Sequence, residues 1–80
     1  MKVEIKNKIE DLDNIWSEII ELDDRINILE HDIKHYVEEE KWDRAYRAEL
    51  SKEEMKNRIE LLRQRSTILE RLIMTMLLEE

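Results

Sequence analysis

The amino-acid sequence predicts an all-α protein, an antiparallel two-helix hairpin of the coiled-coil type that is expected to pair into a four-helix bundle. Three observations predict this fold. The 80 residues include no Gly and no Pro, 44% of them are charged, and the apolar residues recur in heptads. The turns of all-β folds depend on Gly and Pro, whereas this composition is typical of long helices. At this length the chain forms one domain over residues 1–80.

The first helix is predicted over about residues 3–40. Isoleucine or leucine recurs every seven positions from Ile5 to Ile33, and a second series runs from Ile15 to Tyr36, with Lys8 interrupting its start. This spacing places the apolar side chains along one face of a long helix.

The turn is predicted near residues 41–42, and a later position up to Ser51 is left open. The heptad phase fails in this region. Glu38–Glu40 also crowds negative charges at a helix C-terminus, where the helix macrodipole disfavours them. Asp43 is a candidate N-cap for the second helix, and Ser51 with Glu54 forms a capping box that would start that helix later.

The second helix is predicted to run to about residue 78. Folding the chain at residue 41 pairs residues whose numbers sum to about 83, which places Arg65 near Glu18 and Arg58 near Asp24. A new register of seam positions begins weakly at Ala48, has a polar exception at Ser66, and otherwise consists of Met55, Ile59, Leu62, Leu69, Ile73 and Met76.

The charge is acidic overall and uneven along the chain. The net charge is −7, with −8 on residues 1–40 and +1 on residues 41–80. Nucleic-acid binders neutralise phosphates with Lys and Arg, so the acidic net charge argues against nucleic acid as a partner. Arms of opposite character favour antiparallel pairing. The N-terminus carries no signal-peptide pattern and no apolar run approaches the roughly 20 residues of a membrane span, so a cytoplasmic location without membrane partners is expected.

The apolar surface is wider than one hairpin seam requires. Extra apolar residues flank the seam at the open end, away from the turn, on both predicted helices. A domain this small gains stability by oligomerisation, so these residues predict a homodimer or higher oligomer. An apolar groove that receives a different protein is the alternative. The predicted oligomer interface consists of Ile9, Trp16, Ile20, Leu61, Ile68, Leu72 and Leu77.

The segment beside the turn is a candidate binding site for a protein partner or an anionic ligand. Trp42, Arg44, Tyr46 and Arg47 lie within six residues, and aromatic and Arg side chains dominate binding hot spots. The guanidinium group of Arg also binds phosphate groups. The alternative interpretation is that the aromatic residues close the end of the bundle.

Catalysis, cofactors and metals find little support in the sequence. The chain has no Cys and no Gly-rich loop, so it lacks thiolate ligands and a phosphate cradle. His31 and His35 have the i, i+4 spacing of a metal-binding pair, but they fall on the polar side of the helix and we assign no metal to them.

We therefore expect a non-enzymatic, self-associating hairpin that binds another protein as an adaptor, regulator or inhibitor. Two alternatives remain open at this point. One is an oligomer that sequesters an anionic small molecule or nucleotide. The other is an RNA-contacting bundle that would use a local stripe of Lys52, Lys56 and Arg63.

Overall fold

The computed structural model describes residues 2–80 and confirms the two-helix hairpin. Helix α1 spans Val3–Glu38 and helix α2 spans Trp42–Glu79. The helices pack against each other along their length, and residues 2–80 contain no strand. The molecule is a thin slab of 60 × 15 × 12 Å. Pairing into a four-helix bundle stays a prediction.

The turn occupies Glu39–Lys41 and has the hydrogen bonds of a Schellman motif. The Lys41 N–H donates to the Tyr36 carbonyl at 2.8 Å, and the Glu40 N–H donates to the Val37 carbonyl at 3.1 Å. These bonds satisfy carbonyls that the end of a helix leaves free. The later turn position at Ser51 is wrong, because that residue lies inside α2.

The Schellman motif requires a left-handed residue, and here it is a glutamate. Glu40 has a φ of 58°, the only positive φ among residues 2–80. Gly normally fills this position because it has no Cβ to clash with the backbone. With no Gly in the chain, the hairpin forms at some cost in backbone strain.

We expect Glu40→Gly to raise the free energy of unfolding by about 1 kcal/mol, because Gly adopts a positive φ without that cost. The matched control is Glu39→Gly, one residue earlier, where φ is −89°. The control should be neutral or destabilising. Urea denaturation of both variants measures the difference, and an equal effect at the two positions would contradict the turn geometry.

The seam of α1 follows the predicted heptads. Ile5, Ile19 and Ile26 are buried. The remaining seam positions, Lys8 among them, are half-buried. The Lys8 side chain thus packs its aliphatic stem at a position where the pattern calls for an apolar residue.

The seam of α2 begins earlier than the sequence indicates. Ile59, Leu62 and Ile73 are buried as expected, but Ala45 is buried too. Counting in heptads from Ala45 places Lys52 in the seam as well, where its side chain is only 15% exposed. The heptad of α2 is therefore continuous from the first turn of the helix. Its first positions hold small or charged residues, so the apolar pattern of the sequence does not indicate Ala45 or Lys52.

The register across the seam differs slightly from the expected one. The turn is centred on Glu40, so facing residues have numbers that sum to about 80 instead of 83. The central cluster consists of Ile19, Ile26, Ile59 and Leu62. The predicted charge pairs, Arg65 with Glu18 and Arg58 with Asp24, are wrong in their partners.

A single buried polar side chain, Ser66, lies in the seam of the described residues. Its hydroxyl donates to the Arg63 carbonyl at 2.7 Å, so the burial leaves no unsatisfied donor. None of the helices in residues 2–80 is long and apolar enough to cross a membrane.

Candidate protein-interaction surfaces

One ion pair between the helices identifies which flanks share a broad face of the slab. Arg58 donates from Nε to Oε1 of Glu18 at 3.3 Å and from Nη2 to Oε2 of Glu18 at 3.4 Å. Each of these residues directly precedes a buried seam isoleucine, Ile19 or Ile59. Residues that precede the seam on both helices therefore lie on one face, and residues that follow the seam lie on the opposite face.

We name the two broad faces after one residue each. On the Glu18 face, the exposed large apolar residues are Ile28, Leu61, Ile68 and Leu72. On the Trp16 face, the large apolar residues are Ile9, Trp16, Ile20, Val37, Trp42, Tyr46, Met74 and Leu77, of which Ile9 alone is half-buried.

The seven predicted interface residues are divided between these faces. Leu72 precedes Ile73, and Leu61 and Ile68 lie on the same flank of α2, so all three belong to the Glu18 face. Trp16 follows seam residue Ile15, so it belongs to the opposite face. The Trp16 face also carries the other predicted residues, which are Ile9, Ile20 and Leu77. A single flat interface cannot contain all seven.

Three apolar residues at these surfaces are absent from the sequence prediction: Ile28, Val37 and Met74. Val37 and Met74 lie on the Trp16 face, where their side chains are 44% and 58% exposed. A signal for them exists in the sequence. Val37 directly follows the seam residue Tyr36, and Met74 lies one turn before Leu77 on the same flank.

The aromatic and Arg residues beside the turn form two pairs instead of one site. Ala45 is buried in the seam, and Trp42 and Tyr46 lie together on the flank of α2 that belongs to the Trp16 face. Arg44 and Arg47 lie on the other flank. Trp42 and Tyr46 are 61% and 66% exposed, so they do not close the end of this hairpin as buried caps.

The turn also borders a shallow, open hollow of about 340 Å³. Its charged lining is balanced, with Glu40 and Asp43 against Lys41 and Arg44. Asp43 lies in the first turn of α2, where its negative charge interacts favourably with the helix macrodipole. No side chain caps the N-terminus of this helix by a hydrogen bond. A lining of two acids and two bases gives an anion little net attraction.

Ion pairing at the turn involves Glu39. The Lys41 Nζ lies 2.7 Å from Glu39 Oε2. The hydrogen bond from Lys41, followed by the charge of the same side chain, lowers the pKa of the Glu39 carboxyl below its ordinary value. Both side chains are exposed, so the pair orders the turn more than it stabilises the fold.

The remaining candidate sites are less organised than the sequence suggests. The rings of His31 and His35 lie edge to face with centroids 4.7 Å apart. No group of three or more potential ligands that could hold a metal occurs within residues 2–80. In the proposed basic stripe, Lys52 is unavailable to RNA, because it is largely covered in the seam and its Nζ lies 3.2 Å from Glu49 Oε2.

The ion pair between the acidic first helix and the more basic second helix lies on the Glu18 face. Arg58 pairs with Glu18 across the seam, where the sequence predicts Arg65 for Glu18 and Asp24 for Arg58. The numbers of Glu18 and Arg58 sum to 76, so Glu18 pairs with the Arg that lies one heptad before Arg65 on the same flank of α2. Both side chains are more than 40% exposed, so the pair is worth at most about 1 kcal/mol.

The hairpin thus presents two apolar faces of different composition. Comparison with known proteins gives no matching protein-family model, curated protein or solved structure.

Proposed function

We propose that the protein is a non-enzymatic, self-associating hairpin that binds another protein and so acts as an adaptor, regulator or inhibitor. The observation that supports this proposal is the exposure of large apolar side chains on both broad faces of the slab. Contiguous apolar patches on a folded protein mark sites of protein–protein interaction.

The exposed area supports the same proposal in quantitative terms. The chain exposes 6278 Å². A compact folded monomer of this mass exposes about 5,200 Å². The excess of about 1,100 Å² exceeds the roughly 800 Å² that each partner buries in a standard interface. One interface therefore brings the exposed area per chain into the range of compact proteins.

Two apolar faces favour two different occupants. A two-fold dimer uses the same patch on both subunits, so it covers one broad face and leaves the other face open. Self-association through one face and recognition of a different protein through the other account for both patches. This division matches an adaptor, which holds one partner while it assembles with itself.

The Glu18 face has the composition of a recognition surface for another protein. Leu61, Ile68 and Leu72 form an apolar line on α2 that Arg65 interrupts, and apolar anchors beside Arg are typical of hot spots. An open hollow of about 280 Å³ lies on the same face, nearer the turn, and has room for one anchoring side chain. The hollow is lined by Arg25, Ile28, Leu29, Ser51 and Met55.

Affinity capture from a native lysate tests the proposal, with mass spectrometry of proteins and small molecules. We expect the protein to retain a protein partner at least tenfold above background. Leu61→Glu combined with Ile68→Glu should abolish this capture, because two buried carboxylates without partners disrupt an apolar interface. Leu78→Glu, at an exposed position on the outer edge of α2, is the matched control and should bind normally.

Other outcomes of the capture experiment would replace the proposal. Loss of the partner in the Leu78 control as well would indicate nonspecific adhesion. Retention of an anionic small molecule, lost when Arg44 and Arg47 are both changed to Ala, would favour the sequestering alternative. That binding should also weaken with salt, because exposed charge pairs are screened beyond about 8 Å at physiological ionic strength.

A further inference from the structure

We propose that the Trp16 face is covered by a second copy of the chain, in a two-fold dimer whose axis runs along the hairpin. In this dimer the two turns lie at the same end, and each α1 lies over α2 of the other subunit. The inference rests on the proposed self-association and assigns it a face and an orientation.

The choice of face follows from the amount of apolar surface. The Trp16 face carries eight large apolar side chains, whereas the Glu18 face carries four. The slab is 60 Å long and 15 Å wide, so one face projects about 900 Å². Contact over most of one face thus removes roughly the excess exposed area of the chain, on the scale of a standard dimer interface.

The apolar residues of the Trp16 face cluster at its two ends. They form one group at the open end, around Trp16 and Leu77, and another at the turn, around Val37 and Tyr46. Charged residues such as Glu30 and Glu53 lie between the groups. Either two-fold axis in the plane of the face places apolar groups on apolar groups, so the charged residues decide the orientation.

The alternative axis, which runs across the slab, brings like charges together. It would reverse the second hairpin, so that the open end of one subunit lies over the turn of the other. In α1, facing residues would then have numbers that sum to about 40. Lys6 would face the partner's Lys34, and in α2, where the sum is about 120, Lys56 would face the partner's Arg63, so that like charges repel each other.

Charge favours the same orientation. The axis along the hairpin places α1 over α2 of the partner. When the axis runs along the hairpin, facing residues on α1 and on the partner's α2 have numbers that sum to about 80, so Asp23 faces the partner's Lys56. This attraction offsets the like-charged contact of Glu30 with the partner's Glu49, whereas the axis across the slab leaves its like-charged pairs without compensation.

Sedimentation equilibrium with matched variants tests the choice of face. We expect a mass of twice 9.9 kDa for the unmodified chain. Trp16→Glu combined with Ile20→Glu should raise the dimer Kd by about 100-fold or more and give monomers, since central apolar residues dominate interface energies. Leu61→Glu combined with Ile68→Glu on the opposite face should leave the dimer intact, and circular dichroism checks that both variants remain helical.

The outcomes separate this inference from the proposed function. A dimer that dissociates only with the Leu61 and Ile68 substitutions would overturn the choice of the Trp16 face, while self-association would stand. A monomer for the unmodified chain would overturn both.

A distance measurement tests the orientation without disrupting either face. The chain contains no Cys, so a spin label on Glu39→Cys marks the turn alone. Helices pack 8–10 Å apart, so we expect a label-to-label distance below about 30 Å when the turns lie together. A distance near the 60 Å length of the slab would overturn the proposed axis.

Discussion

Replacing Leu62 by Ala should lower the free energy of unfolding by about 3 kcal/mol, within the range measured for buried leucines. The Leu62 side chain is 1% exposed and belongs to the central cluster with Ile19, Ile26 and Ile59. A two-helix seam has no second layer that can relax into the space left behind. Because small domains have only a few kcal/mol to lose, the variant should be largely unfolded at ambient temperature.

Urea denaturation at one fixed protein concentration measures this loss, because self-association makes the apparent stability depend on concentration. Leu78→Ala is the matched control, since the Leu78 side chain is 83% exposed and the same atoms are removed. The control should change the free energy of unfolding by less than about 0.5 kcal/mol. Equal losses in the two variants would show that Leu62 is not central to the seam.

The sequence predicts the hairpin and α1 well because period and residue type agree there. From Ile5 to Tyr36, nine of ten seam positions are apolar, so the heptad is read directly. In α2 the first seam positions hold Ala45, Ala48 and Lys52, of which the sequence pattern indicates only Ala48, and that one weakly. The structure places all three in or beside the seam because a continuous helix has no other register that also buries Ile59.

The turn and the surfaces are less predictable for physical reasons. A Schellman turn is usually marked by Gly, and Glu40 gives no such signal in the sequence. The sum of facing residue numbers is off by only about three for the apolar layers, but flank residues have candidate partners one heptad apart, and Glu18 pairs with Arg58 instead of Arg65. The grouping of Trp42 with Arg44 fails because neighbours in sequence project to different sides of a helix.

Replacing both lysines of the seam, Lys8→Leu with Lys52→Leu, should raise the free energy of unfolding by about 2 kcal/mol. Each Lys packs its stem in the seam and must carry its ammonium group to the edge, as Lys52 does to reach Glu49. Leu at these positions extends the apolar layers without that constraint, at a gain of about 1 kcal/mol per site from the area removed from water. The two sites are far apart, so their effects should add.

For a domain of this size the gain corresponds to a rise in Tm of about 8–16 °C, which thermal denaturation followed by circular dichroism detects easily. Arg71→Leu is the control, because Arg71 lies on the exposed outer side of α2 and a leucine there gains no burial. An unchanged Tm for the double variant would contradict the continuous heptad of α2. If the Tm rises as expected, the lysines serve a purpose other than stability.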